Sequence, residues 1–430
     1  MVMSEAVADG LTETDACAAS PGASRLTTVD AALERGLALA QAISGTELLP
    51  LADATGRILA EPAVAELALP PFDNAAMDGY AVRLGELRGE GPWRLAVAGR
   101  IAAGDPPRAM PPSGALRILT GALVPAEASA VVMQERVRLE DGAIVLAERP
   151  REGLNIRRAG EDLPAGGTIL SAGVVIGARE AAALAAIGLA EVPVRRRLRV
   201  AIFSTGSELV QPGERLGSGQ IYNSNRYMLR AALHRPWIEL RDLGAVADDP
   251  ATLVDTLRDA ARDADLVVST GGVSGGDADH MPDVLRAGGG DIHAMRIAMK
   301  PGKPLAVGRM GEAVYIGLPG NPVSAFVTWH VVGAPIAARR AGLKATNRAR
   351  TTAAAGFDLT RQPGRCEFRP ARIVTDEDGR PVAELLSASY SARIAMLAAA
   401  DGLVVLPADA ARITRGDLLT FHPLGTHWPL

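Results

Sequence analysis

Between residues 198 and 338 apolar runs and helical periodicities alternate, and this alternation constrains the fold more than any other feature of the chain. Residues 199–203, 237–243, 266–269 and 313–316 read as strands. Residues 225–233, 250–262, 278–285 and 321–338 read as the helices between and after them. That order predicts a doubly wound parallel sheet, in which ligands sit beyond the carboxyl ends of the strands. The polar loops fall where the rule wants them: Thr205-Gly206-Ser207-Glu208, the Gly-rich run from Thr270 to Gly276, and Leu318-Pro319-Gly320-Asn321-Pro322.

The flanks have a different texture. Residues 27–43 read as a helix that Thr28 or Asp30 can cap, with Ala32, Leu33, Leu37 and Ala40 at helical spacing. From residue 62 to about residue 151 the chain turns to short β runs broken by Pro and Gly. Residues 130–137 and 143–147 flank Asp141-Gly142, a hairpin signal. Helix returns at 179–189, and Arg195-Arg196-Arg197 reads as a solvated surface crossing. After residue 345 the β texture resumes, with runs at 367–374, 381–386, 403–406 and 417–421 that suit a small β-barrel. A length of 430 residues accommodates two to four domains.

Composition excludes several functions. A net charge of −4 and 3% aromatics argue against a nucleic-acid binder, which needs a basic face and stacking platforms. Residues 1–24 lack the basic and apolar regions of a signal peptide, and no stretch is long and apolar enough to span a bilayer. Cys17 and Cys366 stand far apart without neighbouring partners, which fits a reducing, cytoplasmic compartment and excludes a thiolate zinc cluster. His280 and His293 lack metal-ligand spacing, and without a Gly-x-Ser-x-Gly elbow, Ser207, Ser269 and Ser274 read as turn or phosphate-contact hydroxyls.

The chemistry concentrates elsewhere. Of 45 basic residues three are lysine, and two of them, Lys300 and Lys303, lie in Met299-Lys300-Pro301-Gly302-Lys303-Pro304. Ammonium groups on a loop stiffened by Pro and turned by Gly suit an oxyanion pocket. The glycines after Thr270 offer either a phosphate cradle or merely a tight connection. Asp277 and Asp279 behind them are either Mg²⁺ ligands or helix-capping acids. Glu208, Asp248 and Asp249 can converge on the same sheet edge. In the first half, the loop from Pro70 to Ala81 carries Asp73, Asn74 and Asp78, which suit metal or heterocycle binding as well as Asx turns.

Together these segments resemble the MoeA-type molybdopterin molybdenumtransferases, the family of the gephyrin E domain. The resemblance rests on Pro71-Phe72-Asp73-Asn74-Ala75-Ala76-Met77-Asp78-Gly79-Tyr80-Ala81, Leu119-Thr120-Gly121-Ala122, Gly160-Glu161-Asp162, Ser204 to Leu209 and Asn223-Ser224-Asn225. Residues 270–279, the Lys300 loop and residues 317–324 complete it. It implies a multidomain α/β and β fold: a tail at 1–25, a discontinuous helical linking domain at 26–48 and 166–197, and an inserted β-rich domain at 49–165. A three-layer α/β molybdopterin-binding-like domain at 198–345 and a C-terminal β-barrel at 346–430 follow. The implied reaction cleaves adenylylated molybdopterin, inserts molybdate and releases AMP with Mg²⁺ assisting. The implied assembly is a homodimer with its cleft between subunits, a molybdopterin adenylyltransferase upstream and molybdoenzymes downstream.

Carried over by position, Asp73, Thr120 and Asp162 form the β-domain side of that cleft, and Glu208, Asp249, Asp279, Arg296 and Lys300 the α/β side. Glu208 and Asp279 are the expected Mg²⁺ ligands. Gly271, Gly272, Ser274, Lys303, Pro319 and Asn321 join Arg296 and Lys300 in binding substrate or anion, with barrel contacts such as Arg365 and Ser391. Ala75 stands where the family often has Ser, Arg296 where Lys is common, and Ala395-Met396 where a Ser pair is expected. Two alternatives differ in class. A molybdopterin adenylyltransferase shares the α/β segment but lacks the Asp73 motif and the barrel. A gephyrin-like dimeric scaffold would carry a long linker or a second α/β unit. Molybdate and tungstate are not distinguished by sequence.

Overall fold

The computed structural model describes residues 26–273, 281–344, 351–387 and 393–424. Its central sheet has six strands in the order Ile238–Val246, Leu198–Thr205, Leu266–Thr270, Ala313–Leu318, Pro304–Met310 and Asp291–Arg296. The first four are parallel, so their polar loops emerge together at one edge. Pro304–Met310 alone runs the other way, pairing antiparallel with both Ala313–Leu318 and Asp291–Arg296, which departs from the all-parallel expectation. A hairpin through Gly311, at φ 58°, turns the chain back between Pro304–Met310 and Ala313–Leu318. The core strand Leu266–Thr270 is buried at every position, as a strand covered on both faces should be.

Helices Ser224–Ala232, Pro250–Asp263, Met281–Ala287 and Pro322–Thr328 flank the sheet. The helix expected over 321–338 is interrupted by a π-helical segment, Trp329–Gly333, before Ala334–Ala341 resumes. Pro335 explains the break: its ring lacks an N–H and crowds the preceding turn. The first helix, Val29–Leu39, is capped by Thr28, whose hydroxyl accepts from the Ala31 amide at 3.1 Å. Its Val29 and Ala32 enter the core of the α/β sheet. Gly36 permits this close approach, because a Cβ there would lie 2.2 Å from Ile336 Cδ1.

Thr46–Pro50 pairs antiparallel with Glu191–Arg195, so the chain leaves and re-enters the α/β unit along one ribbon. Of the three arginines there, Arg197 is exposed as read, but Arg195 and Arg196 are not solvated. Arg196 makes a bidentate pair with the buried Asp265, at 2.7 and 2.9 Å. Arg195 donates to the Ile43 carbonyl at 3.2 Å. A hollow of about 530 Å³ beside them, lined by Arg57, Arg196 and Arg199, lies where the strands begin, away from the loop edge. Its guanidiniums are largely committed internally, Arg57 to Glu47 at 2.6 Å and Arg199 to Asp265 at 3.5 Å. It is a clamp between segments.

The inserted unit holds a six-stranded sheet ordered Ala130–Met133, Gly79–Val82, Ala115–Ile118, Trp93–Ile101, Ala143–Leu146 and Val137–Glu140. The Asp141-Gly142 hairpin forms as read, both residues at positive φ, but it joins Val137–Glu140 to Ala143–Leu146. Ala130–Met133 turns away to pair with Gly79–Val82. At the C-terminus, Cys366–Thr375, Pro381–Leu385, Thr352–Ala355, Leu418–Pro423 and Gly402–Leu406 close on themselves as a five-stranded barrel. Cys366 is fully buried in the barrel; Cys17 lies outside the described residues. No described helix is long and apolar enough to cross a membrane.

Candidate functional site

The Lys300 loop lines a cleft of about 440 Å³ with Lys303, Pro319, Asn321 and Ser324, and Arg365 closes it from the barrel. Four of the residues expected to handle substrate therefore meet in one place, joined by Arg365 of the barrel. The cleft exists because Met299–Lys300 forms a two-residue parallel pairing with the barrel, Lys300 opposite Glu367. The Cys366 amide donates to Ala298 O at 2.8 Å and the Ile297 amide to Lys303 O at 2.6 Å, which closes the loop. Gly302 sits at φ 100°, and a Cβ there would fall 2.3 Å from Thr328 Oγ1. Glycine is required at that turn on both counts.

Asn321 caps helix Pro322–Thr328, its Oδ1 accepting from Val323 and Ser324 amides at 3.1 Å each. Asn225 donates to Gly320 O at 2.7 Å and fixes the same loop from beneath. Arg296 is exposed on its strand, in register with Pro304, and does not line the cleft.

At the Gly-rich edge, Gly271 (φ 97°) and Gly272 (φ 67°) make the tight turn expected of them. The Gly271 amide is not directed at a ligand, since it donates to Leu318 O at 3.1 Å. A side chain at Gly271 would meet Thr205 O at 2.3 Å, so its role is close backbone approach. Ser274 and Asp279 lie outside the described residues. Glu208 is exposed on its loop. Asp249 caps helix Pro250–Asp263, accepting from Thr252 N at 2.9 Å and Thr252 Oγ1 at 2.8 Å. Those two bonds, the amide foremost, hold its carboxyl below the usual range. Its neighbour Asp248 instead accepts from Thr205 Oγ1 at 2.9 Å, at the end of the strand that leads to Glu208. Ser269 is a core residue paired with Tyr315 Oη at 2.6 Å, which corrects its reading as a loop hydroxyl.

On the inserted unit, Asp73 accepts from Ala159 N at 2.8 Å and Arg158 Nη1 at 2.5 Å. The Ala159 amide, with Arg158 adding to it against a burial effect, lowers its pKa. Thr120 is tethered to Asp78, which accepts from its amide at 2.8 Å and its hydroxyl at 2.7 Å. Asp78, a candidate on the same loop not carried over to the cleft, is thus part of the cluster, its pKa lowered chiefly by the Thr120 amide. Only its place in the Asp73 motif hinted at this. Asp162 is exposed at the turn where its amide donates to Leu69 O at 3.1 Å. Among the described residues, none of these side chains is bonded to the Lys300 cleft or to the Gly-rich edge.

Comparison with known proteins agrees over nearly the whole chain. Residues 27–188 match the MoeA N-terminal region (domain I and II), 201–339 a probable molybdopterin binding domain, and 352–424 the MoeA C-terminal region (domain IV). A molybdopterin molybdenumtransferase of Haemophilus influenzae is 38% identical, covering 88% of this chain and 94% of that protein. One from Nostoc is 41% identical, covering 69% and 70% respectively. The crystal structure of the molybdopterin biosynthesis moeA protein from Pyrococcus horikoshii superposes with a TM-score of 0.77 at 29% identity, covering 92% of this chain and 99% of that one. Fold, order of units and sequence identity agree, and the chain belongs to the MoeA family of molybdopterin molybdenumtransferases, a family of enzymes.

Proposed function

We propose that this protein inserts molybdate into adenylylated molybdopterin and releases AMP, acting as a cytoplasmic homodimer in molybdenum cofactor biosynthesis. The observation that carries the reading is the cleft where Lys300, Lys303 and Arg365 meet. Two ammonium groups and a guanidinium around one small concavity suit a compact tetrahedral oxyanion, and charge-assisted bonds to it are the strong kind. Molybdate is that oxyanion in this family's reaction. Arg296, exposed on the neighbouring strand, would attract the anion from outside the cleft.

The sheet edge beside the cleft would take the nucleotide end of the substrate. Gly272 and Ser274 would approach its phosphates, with Pro319 and Asn321 forming the wall shared with the cleft. Mg²⁺, when bound, acts as a Lewis acid at the phosphoanhydride. Glu208 offers the hard oxygen donor such a cation takes, and Asp279 is its proposed companion. Among the described residues no three candidate ligands cluster, so Glu208 alone carries that part of the proposal. Asp249 supports the site through its helix cap. Asp73, Thr120 and Asp162 would complete the cleft from the second subunit. Asp73 and Asp78, kept ionised by their bonds, would orient polar groups of the pterin and keep competing anions away.

Purified protein incubated with adenylylated molybdopterin, Mg²⁺ and molybdate should release AMP and yield active molybdenum cofactor. Consumption of ATP on unmodified molybdopterin, with no turnover of the adenylylated form, would identify an adenylyltransferase instead.

A further inference from the structure

We propose that the buried Arg361–Glu367 pair of the barrel is the positioning device of the anion cleft, fixing Lys300 from one side and Arg365 from the other. Neither residue lines the cleft. Glu367 Oε1 lies 3.7 Å from Lys300 Nζ and 3.2 Å from Arg361 Nε, with the Glu367 side chain 10% and the Arg361 side chain 5% exposed. Arg361 is itself locked: Nη1 donates to Pro407 O at 2.6 Å and Ala410 O at 2.9 Å, and Nη2 donates to Arg365 O. One guanidinium thereby ties the backbone of a cleft arginine to the carboxylate that faces a cleft lysine.

The chemistry argues for positioning rather than for substrate contact. A carboxylate beside an oxyanion site opposes anion binding, so its presence there makes sense only if it acts on the lysine. At 3.7 Å the Lys300–Glu367 contact is an ion pair longer than a hydrogen bond, strong enough to orient a flexible stem. The Met299–Lys300 pairing with Cys366–Glu367 sets the backbones in register, and the ion pair then sets the side chain. Burial of the Arg361–Glu367 pair makes the arrangement stiff, since loss of either partner strands the other. In this view the barrel is a structural half of the anion site.

The inference rests on the reading of Lys300 as an anion contact, and a double-mutant cycle separates the two. Lys300→Ala, Glu367→Gln and the double variant are compared for the molybdate concentration dependence of cofactor formation, with thermal unfolding alongside. Glu367→Gln should raise the molybdate KM roughly 5- to 50-fold with a smaller change in kcat, and add much less in the Lys300→Ala background, where only its hold on Arg365 through Arg361 remains. Glu367→Asp, which keeps the charge but withdraws it from Lys300, should raise KM in the same direction and serves if the Gln variant does not fold. Additive effects, an unchanged KM in the Glu367 variants, or a KM lowered by relief of repulsion would each overturn the positioning role. An unchanged KM in Lys300→Ala would instead overturn the anion reading, and the inference with it.

Discussion

The Lys300 cleft and the Asp73–Thr120 cluster carry opposite charge and are built in opposite ways. In the cleft, cations are placed by two units: Lys300 and Lys303 by a loop between two antiparallel strands, and Arg365 by the barrel, just before strand Cys366–Thr375. In the inserted unit, carboxylates are held by backbone amides from elsewhere in the same unit, Ala159 for Asp73 and Thr120 for Asp78. The first depends on the packing of two units; the second is complete within one. No bond joins them among the described residues, and under the proposed function each is one half of a shared site. The proposed homodimer would bring the two together across subunits.

The largest test of that comparison is complementation. Asp73→Asn and Lys300→Ala should each abolish most cofactor formation as pure proteins. Unfolded and refolded together in equal amounts, they should regain about a quarter of wild-type activity, because half the dimers then carry one intact composite site. No recovery would place both halves of each site on the same chain. Next in size is Lys300→Ala alone: loss of a charge-assisted contact of about 1.5–3 kcal/mol predicts a rise in molybdate KM of about 10- to 150-fold. Thermal unfolding should barely move, and a large shift would show that the loop's role is in folding.

Gly302→Ala addresses the backbone of the same loop. Positive φ and the clash with Thr328 Oγ1 should cost about 1–3 kcal/mol in denaturant unfolding and weaken molybdate dependence as well. Asp265 tests the clamp away from both halves. Burial raises its pKa, but the bonds from Arg196 and Arg199 outweigh this and leave it lowered. The folded form therefore gains stability above the unfolded carboxylate pKa, about 3.9, and loses it as pH falls through the lower folded value. Asp265→Asn should be less stable at pH 7 and show a flatter acid limb, measured by urea unfolding across pH. Smallest is Asp249→Ala, expected to lose about 1 kcal/mol of stability from the missing cap. If it is as inactive as Glu208→Ala without losing stability, Asp249 touches substrate after all.

Much of the fold was legible because local signals agreed. Strand and helix alternated from Leu198, Thr28 stood at a helix start, and Asp141-Gly142 marked a hairpin. Pro304–Met310 escaped notice because its partners are set by a hairpin back from Ala313 and because the lysine loop before it reads as turn chemistry. The Gly311 turn was the available signal. Of the candidate residues, Lys300, Lys303, Pro319 and Asn321 converge on one cleft, while Arg296 stays outside it.

The sequence by itself determined the order of units, the scarcity and placement of lysine, and the motifs that carry the family. These are properties of local propensity and residue chemistry, readable without a partner strand. Only the tertiary structure decided that Asp249 is a cap while Asp248 faces Thr205, that Gly271 serves the backbone, and that Asp78 tethers Thr120. It alone brought Arg361, Glu367 and Arg365 behind Lys300. The reason is physical: a carboxylate or guanidinium has the same chemistry wherever it stands in the chain, and its role follows from the donor or acceptor that folding places within hydrogen-bond or ion-pair reach.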